Sequence, residues 1–248
     1  MEILQKLLPM PPLASAEGLK IDILMYLIHG LVALLFFGWA IYFIVVLIKF
    51  RKKPNVQARD SHDVTKVSSV VEWAVIILEF VLLFAFSMPF WAVNVAALPP
   101  MKDVLEVKVI AQQFAWNVHY AGPDGHFGKV SAKLLNEHPI GLDLTDPDAA
   151  DDITTMNQIY VPVNKTVLIR LTSKDVIHSF GVPAMRAKQD VIPGMSTMVW
   201  FTPTKTGQFE IVCSQLCGMA HYRMRGVLNV LSQQEYDQWI KEQKGIHD

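Results

Sequence analysis

The chain carries few charges and only two cysteines. Charged residues make up 18% of its 248 positions and hydrophobic residues 52%, against about 25% and 45–50% in soluble domains, so part of the chain is expected to lie in lipid. The formal net charge of −1 argues against a nucleic-acid partner, because nucleic-acid-binding domains present basic surfaces. Two cysteines cannot provide a disulfide framework, so their role must be local.

Two long segments lack charge almost completely. From Ile23 to Ile48 there is no Asp, Glu, Lys or Arg, and such a run crosses a hydrocarbon core of about 30 Å. A second apolar run, 70–98, has Glu72 and Glu79 as its only charged residues. Two prolines follow it, and prolines end helices. The sequence therefore predicts a two-helix transmembrane hairpin, with helices at 23–48 and 70–98.

The segment between the helices, 49–69, is basic. It holds six lysines and arginines against two aspartates, whereas the N-terminal segment 1–22 has only two lysines. Basic loops remain on the cytoplasmic side of a membrane. The loop is therefore predicted to be cytoplasmic, and the N-terminal segment and all residues after Pro100 are predicted to be external.

Short apolar segments with alternating polarity begin at Val104. Turn residues separate them, and they predict strands with the sequences VLEVKVI, QIYVPV, TVLIRL, TMVWF, QFEIV and GVLNVL. Their spacing predicts an all-β domain over 101–232, an antiparallel Greek-key sandwich or barrel. Segment 121–157 fits no strand pattern and is interpreted as an insertion. A capping box at Ser232 opens a short helix in the C-terminal segment 233–248.

The segment CSQLCGMAHYRM brings four metal-binding side chains together. Two thiols, an imidazole and a thioether lie within twelve residues, at spacings C-x3-C-x3-H-x2-M. Soft sulfur ligands, the thioether in particular, favour Cu(I) over zinc. His178 in SKDVIHSFGVP is the candidate for a second imidazole. A mononuclear blue-copper site uses one cysteine, so Cys213 and Cys217 supply one thiol too many for it.

The donors suffice for two metals. Two bridging thiolates supply four metal contacts, His178 and His221 add two, and Met224 adds one. The backbone carbonyl of Gln215, between the cysteines, is placed to supply an eighth. Two four-coordinate coppers would leave no open position for substrate, so the predicted role is electron transfer. Two alternatives remain: an external disulfide between the cysteines, and a structural role for His178.

These features resemble subunit II of the haem-copper cytochrome c oxidases, over nearly the whole chain. The resemblance rests on the helical hairpin, on DVIHSF, KQDVIPG and CSQLCGMAH with its downstream Met, and on the 35 positions between His178 and Cys213. It implies a cupredoxin fold that holds the dinuclear copper centre CuA. The implied ligands are His178, Cys213, Cys217, His221, Met224 and the carbonyl of Gln215.

The resemblance also implies partners and a location. A c-type cytochrome would deliver electrons to CuA, and these would pass to haem and copper in subunit I, where O2 is reduced to water and protons are translocated. The implied partners are oxidase subunits I and III, the cytochrome and membrane lipid. The implied location is a bacterial plasma membrane, with the cupredoxin domain periplasmic. The sequence contains no C-x2-C-H, so no haem is expected on it.

Three positions depart from the family pattern. Gln215 stands where the family has a glutamate whose carboxylate also binds a magnesium ion shared with subunit I, which puts that magnesium in question. In QFAW, Phe114 replaces the tryptophan that receives the electron, and Trp116 becomes the nearest indole. Met195 replaces an arginine after the Pro-Gly turn. The aspartate-bearing insertion resembles that of bacterial oxidases that associate with alternative complex III.

Carboxylates outside the cluster are candidates for two further roles. Glu72 aligns with the family glutamate at the entrance of a proton channel into subunit I, and Glu79, two turns deeper, should face a partner helix or water. Asp175 and the five aspartates between Asp143 and Asp152 are candidates for an acidic patch that docks a basic cytochrome. The alternative for the insertion is a solvated loop whose aspartates cap turns.

Three other functions fit the sequence less well. Nitrous oxide reductase has a similar copper domain, but it adds a large catalytic domain that is absent from these residues. A membrane-anchored copper chaperone would have its histidine after the cysteines and a single anchor. Quinol-oxidising relatives keep the fold and lose the copper ligands, all of which are present here.

Overall fold

A computed structural model describes residues 10–54, 66–92 and 103–243 of the chain. The chain divides into two compact units. One comprises Lys20–Ala97, and the other combines Met1–Leu19 with Leu98–Asp248. The described residues of the first unit are mainly helical, and the second unit contains the described strands.

Two helices in the described residues are long and apolar enough to cross a membrane. Helix α1, Gly18–Lys49, begins five residues before the predicted span and ends one residue after it. Helix α2, Lys66–Val81, continues through a π-helical turn, Leu82–Ser87, into a last α-helical turn, Met88–Trp91. Most of the predicted loop 49–69, and the predicted helix end near residue 98, lie outside the described residues.

Proline explains the wide turn in the second span. A proline has no N–H, and its ring clashes with the carbonyl four residues earlier, which for Pro89 is that of Ala85. The Met88 N–H instead bonds to the Leu83 carbonyl, five residues back, which is the π-helical pattern. The helix therefore passes the proline without ending there.

Ten strands form two five-stranded sheets in the described part of the second unit. The strands are β1 Leu105–Gln112, β2 Ala115–Tyr120, β3 Ile153–Met156, β4 Gln158–Pro162, β5 Val167–Ser173, β6 His178–Val182, β7 Ala187–Val191, β8 Thr197–Phe201, β9 Gly207–Cys213 and β10 Arg225–Leu231. The first sheet has the order β3-β2-β1-β5-β8 and the second the order β4-β10-β9-β6-β7. The chain passes repeatedly between the sheets, as in Greek-key sandwiches, and the predicted sandwich is confirmed.

Two strand pairs are parallel, so the expectation of a purely antiparallel sandwich is wrong. β1 pairs in parallel with β5, and β10 with β4. Between β1 and β5 the chain crosses into the second sheet at β4 and then returns, so β5 enters beside β1 in the same direction. The spacing of strands in a sequence does not reveal such a crossing.

All six predicted strands are present, and the sequence does not reveal the other four. β2 and β6 are buried at every position, so they lack the alternation that marks a half-buried strand. β7 is polar at three of its five positions. β3 has only four residues, too few to show a period, and it corrects the expectation that segment 121–157 contains no strand.

Inward-facing side chains of both sheets form the core. On β1, Val107, Val109 and Ala111 are fully buried, and the residues between them are not. The insertion covers the opposite face of the first sheet, where a small second cluster packs against Ile110 of β1. The members of that cluster are Ile140, Leu142 and Ala149.

The predicted capping box at the C-terminal helix is confirmed. Helix α3, Gln233–Glu242, begins where the Ser232 side chain accepts the Glu235 N–H and the Glu235 side chain accepts the Ser232 N–H. Trp239 of this helix stacks on Tyr160 of β4, with ring centroids 4.5 Å apart. The helix thus packs against the second sheet.

Candidate metal centre

Neighbouring strand ends carry the candidate ligands. His178 is the first residue of β6 and Cys213 the last of β9, and the two strands pair at Phe180 and Cys213. The chain then forms a loop, residues 213–224, which we call the ligand loop. Its ends are joined by a backbone hydrogen bond of 3.2 Å from the Cys213 N–H to the Met224 carbonyl. Sheet pairing and this bond together fix where the loop begins and ends.

Cys213 lies at one side of the cluster. Its Sγ is 3.8 Å from Cys217 Sγ and 4.0 Å from His178 Nδ1. The backbone carbonyl oxygen of Gln215 lies 3.2 Å from the same sulfur. Three of the other predicted donors therefore surround this thiol.

Cys217 lies at the other side of the cluster. Its Sγ is 3.6 Å from His221 Nδ1 and 3.7 Å from Met224 Sδ, so all six predicted donors come together. Both cysteines are free, and their sulfur separation of 3.8 Å is nearly twice the disulfide bond length of about 2.05 Å. Cys213 and Cys217 are therefore not joined by a disulfide bond in this structure.

The donor set fits a soft metal. Two ligands at about 2.0–2.3 Å from one tetrahedral metal are about 3.3–3.8 Å apart, and the neighbouring side-chain donors here are 3.6–4.0 Å apart. The donor atoms of His178, Cys213 and Cys217 all lie within 4.8 Å of one another. Thiolate, thioether and imidazole ligands suit copper, whereas magnesium and calcium prefer oxygen.

Protein surrounds the inner side of the cluster. His178 is fully buried, and Met224 and Cys217 are almost so. The Trp116 ring lies 6.1 Å from the His178 ring and 5.4 Å from that of Phe180, measured between centroids. On the outer side the ligand loop exposes three apolar side chains, those of Leu216, Met219 and Tyr222. The cluster is therefore dry inside and close to the surface at one edge.

The two thiols have opposite pKa shifts. Burial by itself raises the pKa of Cys213, but hydrogen bonds with His178 and with backbone groups of Ser179 and Gln215 outweigh it and lower this pKa. Burial and the adjacent Cys213 thiolate raise the pKa of Cys217. Cys213 is therefore the thiol that ionises first. Binding a metal to both as thiolates must release a proton.

The carboxylate of Asp175 faces the second nitrogen of His178. Its Oδ1 lies 2.8 Å from His178 Nε2 and accepts the Val176 N–H at 2.7 Å, and its Oδ2 accepts the Gln113 N–H at 2.7 Å. Burial by itself would raise the pKa of Asp175, but the hydrogen bonds from His178 and these backbone N–H groups lower it. With Nε2 donating to a carboxylate, Nδ1 keeps its lone pair for a metal. The predicted docking role of Asp175 stays a prediction.

Most aspartates of the insertion accept hydrogen bonds from backbone N–H groups. Four of the five accept backbone N–H groups: Asp143 from Thr145, Asp146 from Lys129, Asp151 from Asp124 and Asp152 from Gly128. Asp146 and Asp152 are buried. Asp143 caps a local turn, whereas the other three accept N–H groups 17–27 positions earlier in the sequence and so hold the insertion together. The predicted docking role of this segment stays a prediction.

The two aromatic candidates for electron entry differ in burial. Trp116 is fully buried. Phe114 is half-buried in the turn between β1 and β2, and its ring lies against the ligand loop, because a Cβ built on Gly218 would be 3.0 Å from Phe114 Cζ. Of the two rings, Phe114 is the one that reaches the surface beside Cys217.

Three of the positions named from the sequence, Glu72, Glu79 and Met195, are not part of the cluster. Glu72 and Glu79 are both exposed on α2 within the single chain, and Glu72 Oε1 accepts a hydrogen bond from Ser68 Oγ at 3.0 Å. The proton-channel role of Glu72 stays a prediction. Met195 is 54% exposed after its turn.

Gln113 is a contact of the cluster that the sequence does not reveal. Its Nε2 donates to the Cys217 carbonyl at 2.6 Å, across 104 positions of sequence. The one local signal is its place directly before Phe114. Nothing in that signal indicates that the side chain reaches the ligand loop.

Two apolar helices, a Greek-key sandwich and a cluster of soft donors define a membrane-anchored cupredoxin-like protein with a candidate metal site. Residues 105–231 match the family described as cytochrome c oxidase subunit II, periplasmic domain, which is half of the chain. The chain belongs to this family. The helices and this match together indicate a membrane protein with a periplasmic domain.

Relatives show how far the similarity extends. The alternative cytochrome c oxidase subunit 2 of Bradyrhizobium diazoefficiens is 40% identical over 144 residues, which is 57% of this chain and 52% of that protein. The cytochrome c oxidase subunit 2 of Cereibacter sphaeroides is 32% identical over 211 residues, which is 79% of this chain and 67% of that protein. This chain therefore spans about half to two thirds of the length of these relatives.

A solved structure is also similar in sequence. The crystal structure of the periplasmic domain of subunit II of cytochrome oxidase of Bradyrhizobium japonicum is 31% identical. The match covers 58% of this chain and 95% of that one, with a TM-score of 0.43.

Proposed function

We propose that this chain is the electron-entry subunit of a haem-copper oxidase and that its cluster binds the dinuclear copper centre CuA. The observation that supports the proposal is the set of six donors, five on the ligand loop and one on β6. Adjacent donors are separated by 3.2–4.0 Å. Two metals that share both thiolates would use every one of these donors and leave no position for substrate.

Each donor has a defined part in this proposal. The thiolates of Cys213 and Cys217, the imidazoles of His178 and His221, the thioether of Met224 and the carbonyl of Gln215 would together hold the copper pair. When bound, the copper pair would accept one electron and pass it on without making or breaking a bond. The protein would keep the donors dry and in fixed orientations, since the cluster is buried on its inner side and His178 is held at Nε2 by Asp175.

The proposal extends to the partners of the chain. A c-type cytochrome would dock near Asp175, with Phe114 beside the exposed residues of the ligand loop at the point of electron entry. Electrons would continue to haem in subunit I, where O2 is reduced to water and protons are translocated. Subunits I and III would surround the helices in a bacterial plasma membrane. Association with alternative complex III stays a prediction. Magnesium beside Gln215 would lack the carboxylate that the family supplies.

The metal content of the purified full-length protein tests this function. We expect two copper ions per chain, and we expect Cys217→Ser to lose them because it removes a bridging thiolate. Ser214→Ala is the matched control, since it changes an exposed hydroxyl on the same loop and should keep both metals. Zinc in place of copper, or a single copper per chain, would contradict the proposal.

A further inference from the structure

We propose that Gln113 is a positioning residue that ties the ligand loop to Asp175, and through Asp175 to His178. This inference rests on the proposed copper function. Gln113 and Asp175 together are called the clasp. Neither residue is among the donors. Asp175 contacts the imidazole ring of His178, and Gln113 contacts the backbone carbonyl of Cys217.

The first contact of the clasp orients an imidazole. Asp175 Oδ1 lies 2.8 Å from His178 Nε2, while its Oδ2 accepts the Gln113 N–H at 2.7 Å. The Asp175 side chain is 31% exposed, so it is partly protected from water. A single carboxylate therefore fixes both the ring of His178 and the backbone of the turn between β1 and β2.

The second contact of the clasp holds the ligand loop. Gln113 Nε2 donates to the carbonyl of Cys217 at 2.6 Å, so the amide is bonded to the backbone of a residue that carries a thiol donor. The next residue, Gly218, has φ of +140°, and a Cβ there would lie 2.7 Å from Gln113 Nε2 and 3.0 Å from Phe114 Cζ. Glycine suits this position because other residues rarely adopt its backbone angle, and because it leaves room for the close approach of the turn.

The clasp joins parts of the protein that no strand pairing joins. Gln113 follows β1 in the first sheet, whereas His178 and Cys213 belong to β6 and β9 of the second sheet. A shift between the sheets would move the turn between β1 and β2, and Phe114 with it, relative to His178 and the ligand loop unless something held them together. Gln113 does so with two groups, since its N–H is bonded on the His178 side and its side chain on the Cys217 side. It also fixes the neighbouring Phe114 ring relative to the cluster.

Reversing the polarity of one side chain tests the clasp. Gln113→Glu replaces the donor with a carboxylate that faces the Cys217 carbonyl, so the contact becomes repulsive. Gln112→Glu is the matched control: it makes the same charge change one residue away, where the side chain accepts a hydrogen bond from Lys174 Nζ and a carboxylate is tolerated. Gln113→Met removes the hydrogen bond without adding charge.

Copper affinity and the electron paramagnetic resonance spectrum of the full-length protein are the readouts. For Gln113→Glu we expect copper affinity to fall about 10–100-fold, as for other residues that orient metal ligands, and the copper hyperfine splitting to change. Gln113→Met should change both in the same direction by less, and it serves as the test if Gln113→Glu fails to fold. Gln112→Glu should match the wild type.

The outcomes separate the two proposals. Copper-loaded wild type together with unchanged affinity and spectrum in the Gln113 variants would overturn the clasp and leave the copper function standing. An equal loss in Gln112→Glu would also overturn it, because the effect would then come from charge alone. A wild-type protein that binds no copper would overturn both.

Discussion

The two nitrogens of His178 have different partners, and this division sets how the residue can act. Nδ1 faces the Cys213 thiol, and Nε2 faces the carboxylate of Asp175. A neutral imidazole has one donor and one acceptor nitrogen, and the hydrogen bond at one decides the state of the other. Asp175, three residues earlier, therefore prepares His178 to offer a lone pair toward the thiols.

The thioether of Met224 can be tested by an exchange that keeps its volume. Met224→Leu should cost less than about 1.5 kcal/mol of folding stability, yet it removes a sulfur that lies 3.7 Å from Cys217 Sγ. We expect a shift in reduction potential, because a weak axial ligand tunes copper potentials, and this is measured by redox titration of the copper-loaded protein. Met219→Leu, at an almost fully exposed position of the same loop, should leave the potential unchanged. Equal potentials in both variants and the wild type would exclude Met224 as a ligand.

That the candidate donors come together could be predicted from sequence, because five of them lie within twelve residues at a spacing that only a few metals use. The residues that position these donors, Asp175 and Gln113, could not be predicted from sequence. Asp175 has the sequence context of a surface carboxylate, and its contact with Gln113 spans 62 positions. The reach of Gln113 to Cys217 depends on how a turn of one sheet meets a loop of the other. Such contacts follow from the packed fold and leave no periodic signal.

At the scale of elements, strand β2 links the site to the insertion. Its inward face presents Trp116 toward the cluster, and its outward face carries His119. His119 Nε2 lies 2.7 Å from Asp152 Oδ2, with both side chains fully buried, and the same oxygen accepts the Gly128 N–H at 2.9 Å. This buried pair fastens the insertion to the sheet.

Removing one partner of that pair should destabilise the domain. Asp152→Ala leaves the His119 ring buried without its carboxylate, and breaking buried pairs typically costs about 3–5 kcal/mol. For a protein of this size, a thermal midpoint lower by about 6 °C or more is expected. Asp148→Ala, at an exposed position of the same insertion, is the control and should stay within about 0.5 kcal/mol of the wild type. Thermal unfolding of the three full-length proteins decides the matter, and equal midpoints would show that the pair does not hold the insertion.

Strands that are buried on one face only could be predicted from the sequence. β1 alternates between buried and partly exposed residues, so its period of two is visible in VLEVKVI. β2 is buried on both faces, since the insertion covers its outer side, and its sequence therefore carries no period. The parallel pairing of β1 with β5 was hidden for a different reason, because it depends on the path of the chain between the sheets.

At the scale of the whole molecule, the helical unit and the sandwich carry different predicted tasks. The sandwich holds the candidate metal donors, whereas α2 holds Glu72, whose carboxylate accepts a hydrogen bond from Ser68 one turn earlier. A carboxylate near the start of a membrane-spanning helix is costly unless it meets water or a partner. This position is consistent with the predicted entrance of a proton channel.

Turnover of the intact oxidase complex tests this role of Glu72. Glu72→Gln keeps the shape and hydrogen bonding of the side chain but cannot take up a proton, so we expect slower proton uptake and slower turnover. Glu72→Asp retains a titratable group and should retain more of the rate. Unchanged turnover in Glu72→Gln would remove this residue from the proton pathway.

The electron paramagnetic resonance spectrum of the oxidised full-length protein tests the central claim most directly. If two copper ions share one unpaired electron through both thiolates, the spectrum shows a seven-line hyperfine pattern. A four-line pattern would mean a single copper and would contradict the dinuclear centre, and a protein without any copper signal after loading would contradict the copper site itself.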